Sequence, residues 1–230
     1  MGMNKLFYLL LLIFSYGISY SQINEIGFFA GGSNYIGDVG STAYISPNKL
    51  AVGILYKWNR SPRHAYRFSY TQSTLFGNDL KSEEASRKQR GFSFNNSIKE
   101  LSAGLEFNFF DFDLRNSRIK ITPYVFSGLS YFFHDELYIN TNGDTFKEKT
   151  GNSLSIPMII GLKSNVSRRI IIGVEVGARL TSTDNLDGSN ADNLNLGQFS
   201  FGNINNKDWY VFSGLTITYT FGRDECFCSY

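Results

Sequence analysis

Residues Trp209–Phe221 read "WYVFSGLTITYTF". The odd positions are Trp209, Val211, Ser213, Leu215, Ile217, Tyr219 and Phe221, a nearly all-apolar face with aromatics at both ends. The even positions are Tyr210, Phe212, Gly214, Thr216, Thr218 and Thr220, mostly small or hydroxylated. Side chains on a strand alternate between two faces, so this pattern predicts a strand with one apolar and one polar environment. A strand lying between lipid and a polar lumen needs this arrangement, with aromatic belts at both interfaces.

Working outward from it, the same alternation recurs at 24–33, 50–58, 64–72, 97–109, 121–133, 154–166 and 170–179. In "SIKELSAGLEFNF", Leu101, Ala103, Leu105, Phe107 and Phe109 share one face, and Glu100, Ser102, Gly104 and Glu106 the other. The connections carry a second signal. "NRSPR", "FDFDLRNSR" and "SRR" are short, whereas 34–49, 73–96, 134–153 and 180–207 are long and rich in Asn, Ser, Gly, Asp and Lys. Short and long connections alternate, as in barrels with short periplasmic turns and long outer loops. An even strand number closes a sheet without free edges, which a bilayer requires. The expected fold is therefore all-β, an eight-stranded antiparallel up-and-down transmembrane barrel.

The start of the chain, "MGMNKLFYLLLLIFSYGISYSQ", has Lys5, an apolar run Leu6–Phe14, and small residues Ser19 and Ser21. The run is about half of the ~20 residues a spanning helix needs. This predicts a signal peptide over 1–21, cleaved after Ser21. The barrel is then expected over 22–221 and a tail over 222–230. Both termini are expected in the periplasm of a bacterial outer membrane, beside lipid. Composition agrees: 21 Phe, 14 Tyr and 22 Gly against 4 Pro favour strands. A net charge of +2 offers no case for nucleic-acid binding. Arg60, Arg63, Arg115, Arg118, Arg168 and Arg169 fall at the short turns, either as ordinary polar turn residues or facing lipid headgroups.

Carrying the alternation inward places Lys57, Arg67, Glu100, Glu106, Lys163, Glu175 and Arg179 in the lumen. An eight-stranded interior is just wide enough for side chains to fill, so mutual pairing in a plugged core is expected rather than an ion path. No catalytic set emerges. Glu100 and Glu106 lie six residues apart on one strand, about 20 Å, too far for paired acid–base work. His64 and His134 fall at opposite ends, and no nucleophile elbow is present. "GGSNYIGDVG" lacks the lysine and helix of a phosphate loop. Neither an enzyme activity nor a cofactor or metal is expected.

The segments "GGSNYIGDVG", "LYKWNRSPRHAYRFSY", "GFSFNNSIKELSAGLEFNFFDFDL" and "TPYVFSGLSYFFH" resemble the PorG-like outer-membrane proteins of the type IX secretion system. The resemblance spans roughly 25–221 and implies a non-enzymatic part of a secretion machine that also supports gliding motility. It implies contact with a periplasmic ring of a PorK-like lipoprotein and a PorN-like partner. A free-standing barrel acting as an adhesin or membrane-integrity protein through its outer loops is the other reading, and a small lipid-hydrolysing barrel a third.

The tail "GRDECFCSY" holds both cysteines, Cys226 and Cys228. In an oxidising periplasm they can form a strained mutual bridge, remain inert, supply half of a metal site, or bond to a partner. With the resemblance, the partner reading becomes a disulfide tether to the ring lipoprotein.

Overall fold

The computed structural model describes residues 23–113, 119–190, 194–203 and 207–222. The expected signal peptide, Arg115, Arg118 and the tail cysteines Cys226 and Cys228 lie outside these residues. Eight strands form one closed antiparallel barrel in sequence order. They are β1 (Ile23–Ile36), β2 (Lys49–Asn59), β3 (His64–Asn78), β4 (Ser93–Asn108), β5 (Ile121–Ile139), β6 (Thr145–Asn165), β7 (Ile170–Thr181) and β8 (Trp209–Phe221). The seam between β1 and β8 runs from Asn24 against Phe221 to Ile36 against Trp209. The expected fold is the observed one.

The wall is apolar outside, and inside it carries buried charged groups together with an apolar cluster. Ile26, Phe28, Ile160 and Leu215 are 55, 64, 65 and 62% exposed. They belong to a continuous band that includes Ile54, Phe68, Leu101, Leu129, Ile172 and Ile217. A water-soluble monomer rarely exposes a contiguous apolar patch beyond a few hundred Å². The wall is therefore a lipid-facing surface. Tyr56, Tyr66, Tyr219 and Phe221 ring the short-turn end, and Phe76, Phe133 and Trp209 stand toward the other. Aromatic belts sit at such levels because one part of the ring system is apolar and the other tolerates water.

Curvature comes from facing glycines. Gly31 lies opposite Gly214, and Gly104 opposite Gly128. A Cβ at Gly31 would stand 2.6 Å from the Cα of Gly214, and one at Gly104 2.8 Å from the Cα of Gly128. Only glycine permits the backbones to approach so closely where the sheet bends.

The connections depart from expectation in several places. The segment 134–153, read as a long loop, is mostly strand. β5 continues to Ile139 and β6 begins at Thr145, leaving 140–144 as a tight turn. Polar composition misled because a hairpin standing clear of the membrane has no lipid face to enforce alternation. A register shift between Glu136 and Leu137 accompanies this extension. There the buried set changes from Phe132 and His134 to Leu137 and Ile139. β3 and β4 likewise run past their expected ends, to Asn78 and from Ser93. The connection 109–120 equals 37–48 in length, so the length alternation is less strict than the sequence indicated.

Candidate functional site: the charged interior and the loop cap

All seven charged residues singled out in the sequence lie inside the wall, none more than 6% exposed. They form two layers. In the layer nearer the short turns, Glu106 is the shared anion. Lys57 Nζ lies 2.8 Å from its Oε2, and Lys163 Nζ 2.5 Å from its Oε1. Arg67 grips Glu175 with two parallel hydrogen bonds of 2.8 Å and stands 3.7 Å from Glu106. The Tyr124 hydroxyl donates to Glu175 at 2.6 Å. In the layer nearer the long loops, Arg179 pairs with Glu100 at 3.3 Å, and the Tyr210 hydroxyl donates to Glu100 at 2.6 Å. Arg179 also stacks over Phe212, its guanidinium carbon 4.4 Å from the ring centroid.

Sequence reasoning missed one member, Glu25, which is fully buried. Its carboxylate accepts from Asn59 at 2.9 Å and Thr218 at 2.8 Å, and its backbone pairs with Lys57. The signal was available: in "INEIGFF", Glu25 shares its parity with the inward Phe29. With Glu25 counted, the four cations of this interior face four carboxylates, Glu25, Glu100, Glu106 and Glu175. A neutral network avoids the large cost of an uncompensated charge away from water.

Aromatic and aliphatic groups close both ends. At the short-turn end Phe112 is buried against Ile171 and Ile23, with Lys163 Nζ 5.1 Å from its ring. Toward the long loops, Phe132, Phe212, Ile98, Phe94 and Leu75 merge with Val39, Leu137, Ile139 and Leu186 in one apolar cluster.

Carboxylates pin the loops above that cluster. Asp79 accepts from the backbone amides of Gly40 (2.8 Å) and Phe92 (3.1 Å) and from Arg90 Nε (2.8 Å). Arg90 lies in the short helix α1 (Ala85–Arg90) and also donates to the Asp38 carbonyl at 2.7 Å. Asp187 accepts from the amides of Asp38, Val39 and Ser189. Asp208 accepts from the Leu186 amide at 2.8 Å and from the Tyr35 hydroxyl. Burial raises the pKa of Asp184, Asp187 and Asp208 in this last loop. Asp184 is pushed up to about 6, with Asp38 and Asp187 adding to the effect of burial. Asp187 and Asp208 move in the same direction, Asp208 strongly, its burial reinforced by the charge of Asp187. None of these loop acids was legible as a group, because loop positions carry no periodicity.

The two histidines stand apart. His64 lies by Ser61 in a short turn, and His134 is buried beside Phe132 at the cap end. Glu100 and Glu106 bind different cations in different layers. The arrangement holds charge in place.

The sequence profile of DUF6089, a domain of unknown function, matches residues 4–230. The chain belongs to this family. No curated protein matches it. Solved structures similar to this DUF6089 barrel are small outer-membrane proteins. Ail, the attachment invasion locus protein of Yersinia pestis, in complex with the heparin analogue sucrose octasulfate, shares 11% identity. That match covers 88% of this chain and 100% of Ail, with a TM-score of 0.47. Neisserial surface protein A is 11% identical over 87% of this chain and 95% of its own, TM-score 0.45. The N-terminal barrel of Pseudomonas aeruginosa OprF is 11% identical over 87% and 98%, TM-score 0.44. Likenesses this remote carry no functional argument for the DUF6089 chain, whose fold rests on its own closed sheet.

Proposed function

We propose that this barrel is a non-enzymatic component of the bacterial outer membrane that serves the type IX secretion and gliding machinery. Its termini and short turns face the periplasm, where they contact a ring of a PorK-like lipoprotein and a PorN-like partner. The observation that best supports a scaffold is the filled interior: Glu106 with its cations, Phe112 below and the apolar cluster above leave the ends of the barrel to act. The resemblance of "LYKWNRSPRHAYRFSY" and "GLEFNFFDFDL" directs the reading to this machine. The tail with Cys226 and Cys228 supplies the tether to the ring lipoprotein.

The test is removal of 223–230, alongside Cys226→Ser with Cys228→Ser, in cells whose secreted cargo is measured. Secretion is expected to fail on tail removal. Non-reducing electrophoresis of membranes is expected to show a reductant-sensitive adduct that the double serine variant lacks. Unaltered secretion together with a monomeric band under all conditions overturns the tether.

A second reading has its own support. The loop cap is ordered by Asp79, Asp187 and Asp208, as a surface that presents a fixed shape outward would be. An adhesin or membrane-integrity protein would tolerate loss of the tail and fail when the cap is altered.

A further inference from the structure

The lipid-facing wall is not uniform. On the side formed by β1–β5 it is indented by a groove of about 550 Å³, lined by Phe28, Ile54, Phe68, Leu101, Ala103 and Tyr131. Ala103, small and outward-facing on β4, opens the dent, and the larger side chains bound it. Toward the cap end of the same wall stand three lysines. Lys49 opens β2, Lys81 closes a one-turn helix after β3, and Lys99 points outward from β4. The Lys49 and Lys81 ammonium groups approach one ring, Phe76, at 4.8 and 5.7 Å from its centroid. Lys99 pairs along the ladder with Gln72, four residues before Phe76 on β3.

Among the described residues, no carboxylate pairs with any of the three. Two other lysines of the outer rim differ: Lys147 pairs with Asp135 at 2.6 Å and Lys149 with Glu136 at 3.2 Å. The β1–β2 loop adds apolar groups at the same level. It folds against the outside of β1, where Asn34 donates to the carbonyls of Ala43 and Tyr44, each at 3.2 Å. Tyr44 and Ile45 are left 77 and 61% exposed there.

We propose that this wall binds a phosphorylated, multiply acylated lipid of the outer leaflet. Its acyl chains lie in the groove, and its phosphates meet Lys49, Lys81 and Lys99. What supports it is charge complementarity: the three lysines stand toward the cap end of the wall, and the groove lies on the short-turn side of them. Unpaired lysines above an apolar slot match an anionic headgroup above its chains, and long lysine stems reach the interface while the charge stays hydrated. A free anion would use the lysines but leave the groove without a role. The proposal rests on the membrane placement and is independent of the secretion assignment.

Native mass spectrometry of the full-length barrel, with diphosphorylated lipid A added in detergent, tests it. The wild type is expected to hold one lipid A in preference to phosphatidylcholine. Replacing all three lysines, Lys49→Gln, Lys81→Gln and Lys99→Gln, is expected to weaken binding by on the order of a hundredfold, about fivefold for each charge. A control with equal charge removed at the other end, Arg60→Gln, Lys120→Gln and Arg168→Gln, is expected to bind as wild type. Ala103→Trp fills the groove from the lipid side, leaves the lysines intact, and is expected to reduce binding as well. Each variant is confirmed as folded by its heat-dependent gel mobility. Unchanged binding in the triple lysine variant, or equal loss in the control, overturns the site. Unchanged binding in Ala103→Trp, or full displacement by millimolar inorganic phosphate, overturns the acylated ligand. A barrel that stays folded and soluble without detergent removes the membrane placement itself.

Discussion

At the scale of single residues, Glu106 is the side chain on which the interior depends most. It is fully buried and shared by Lys57 and Lys163, with Arg67 beside it. Glu106→Gln keeps the shape and removes the charge, leaving the cations in excess. Breaking a buried pair in this way costs about 3–5 kcal/mol. A lower midpoint in urea unfolding from lipid vesicles is the expected outcome, with loss of the heat-resistant folded band on gels. Removing a cation at the rim, such as Lys81→Gln, is expected to cost less than about 1 kcal/mol in the same assay. The seven lumen charges were legible because each sits on the polar parity of a strand. Which of them pair was not, since Arg67 and Glu175 are on β3 and β7, across the barrel from one another.

At the scale of elements, the loops behave as a built layer rather than as flexible connections. Asp187 binds the turn after β1, and Asp208, at the end of 182–208, binds the Leu186 amide near the start of the same loop. The raised pKa of Asp184, about 6 against 3.8, fixes the sign of a pH effect. A group that binds its proton more tightly when folded favours the folded cap below about pH 4. That contribution is lost as pH rises from about 4 to about 6. Asp187 and Asp208 are raised in the same direction and contribute with the same sign. Amide exchange in 182–190 is expected to quicken over this window, after correction for intrinsic rates. Asp184→Asn is expected to flatten the profile below pH 6 and to slow exchange at pH 7. A profile that quickens on acidification would contradict the burial of these acids. The hairpin of β5 and β6 is the element that sequence described least well. Beyond the membrane its two faces meet water and the 182–203 loop, so polarity alternation no longer marks a strand.

At the scale of the whole molecule, the interior is a plug and not a pore. Charged layers occupy its middle, Phe112 lies under them, and an apolar cluster joins them to the cap. Eight strands leave room for little more than side chains. Reconstituted in planar bilayers, the wild-type barrel is expected to show no steady ionic conductance, read as current under applied voltage. Stable open-channel steps would show that the two layers separate in the membrane. The sequence alone determined the barrel: strand parity, strand number and the character of each face follow from local alternation, because lipid and lumen act on every strand separately. Tertiary structure decided what alternation cannot encode. It chose the partners of Glu106 and Glu100, brought Glu25 into the network, and set the cap on the barrel mouth. It also brought Lys49 and Lys81 to one ring, Phe76. Those contacts join residues distant in the chain, and they exist only once closure of the sheet brings its strands around a common axis.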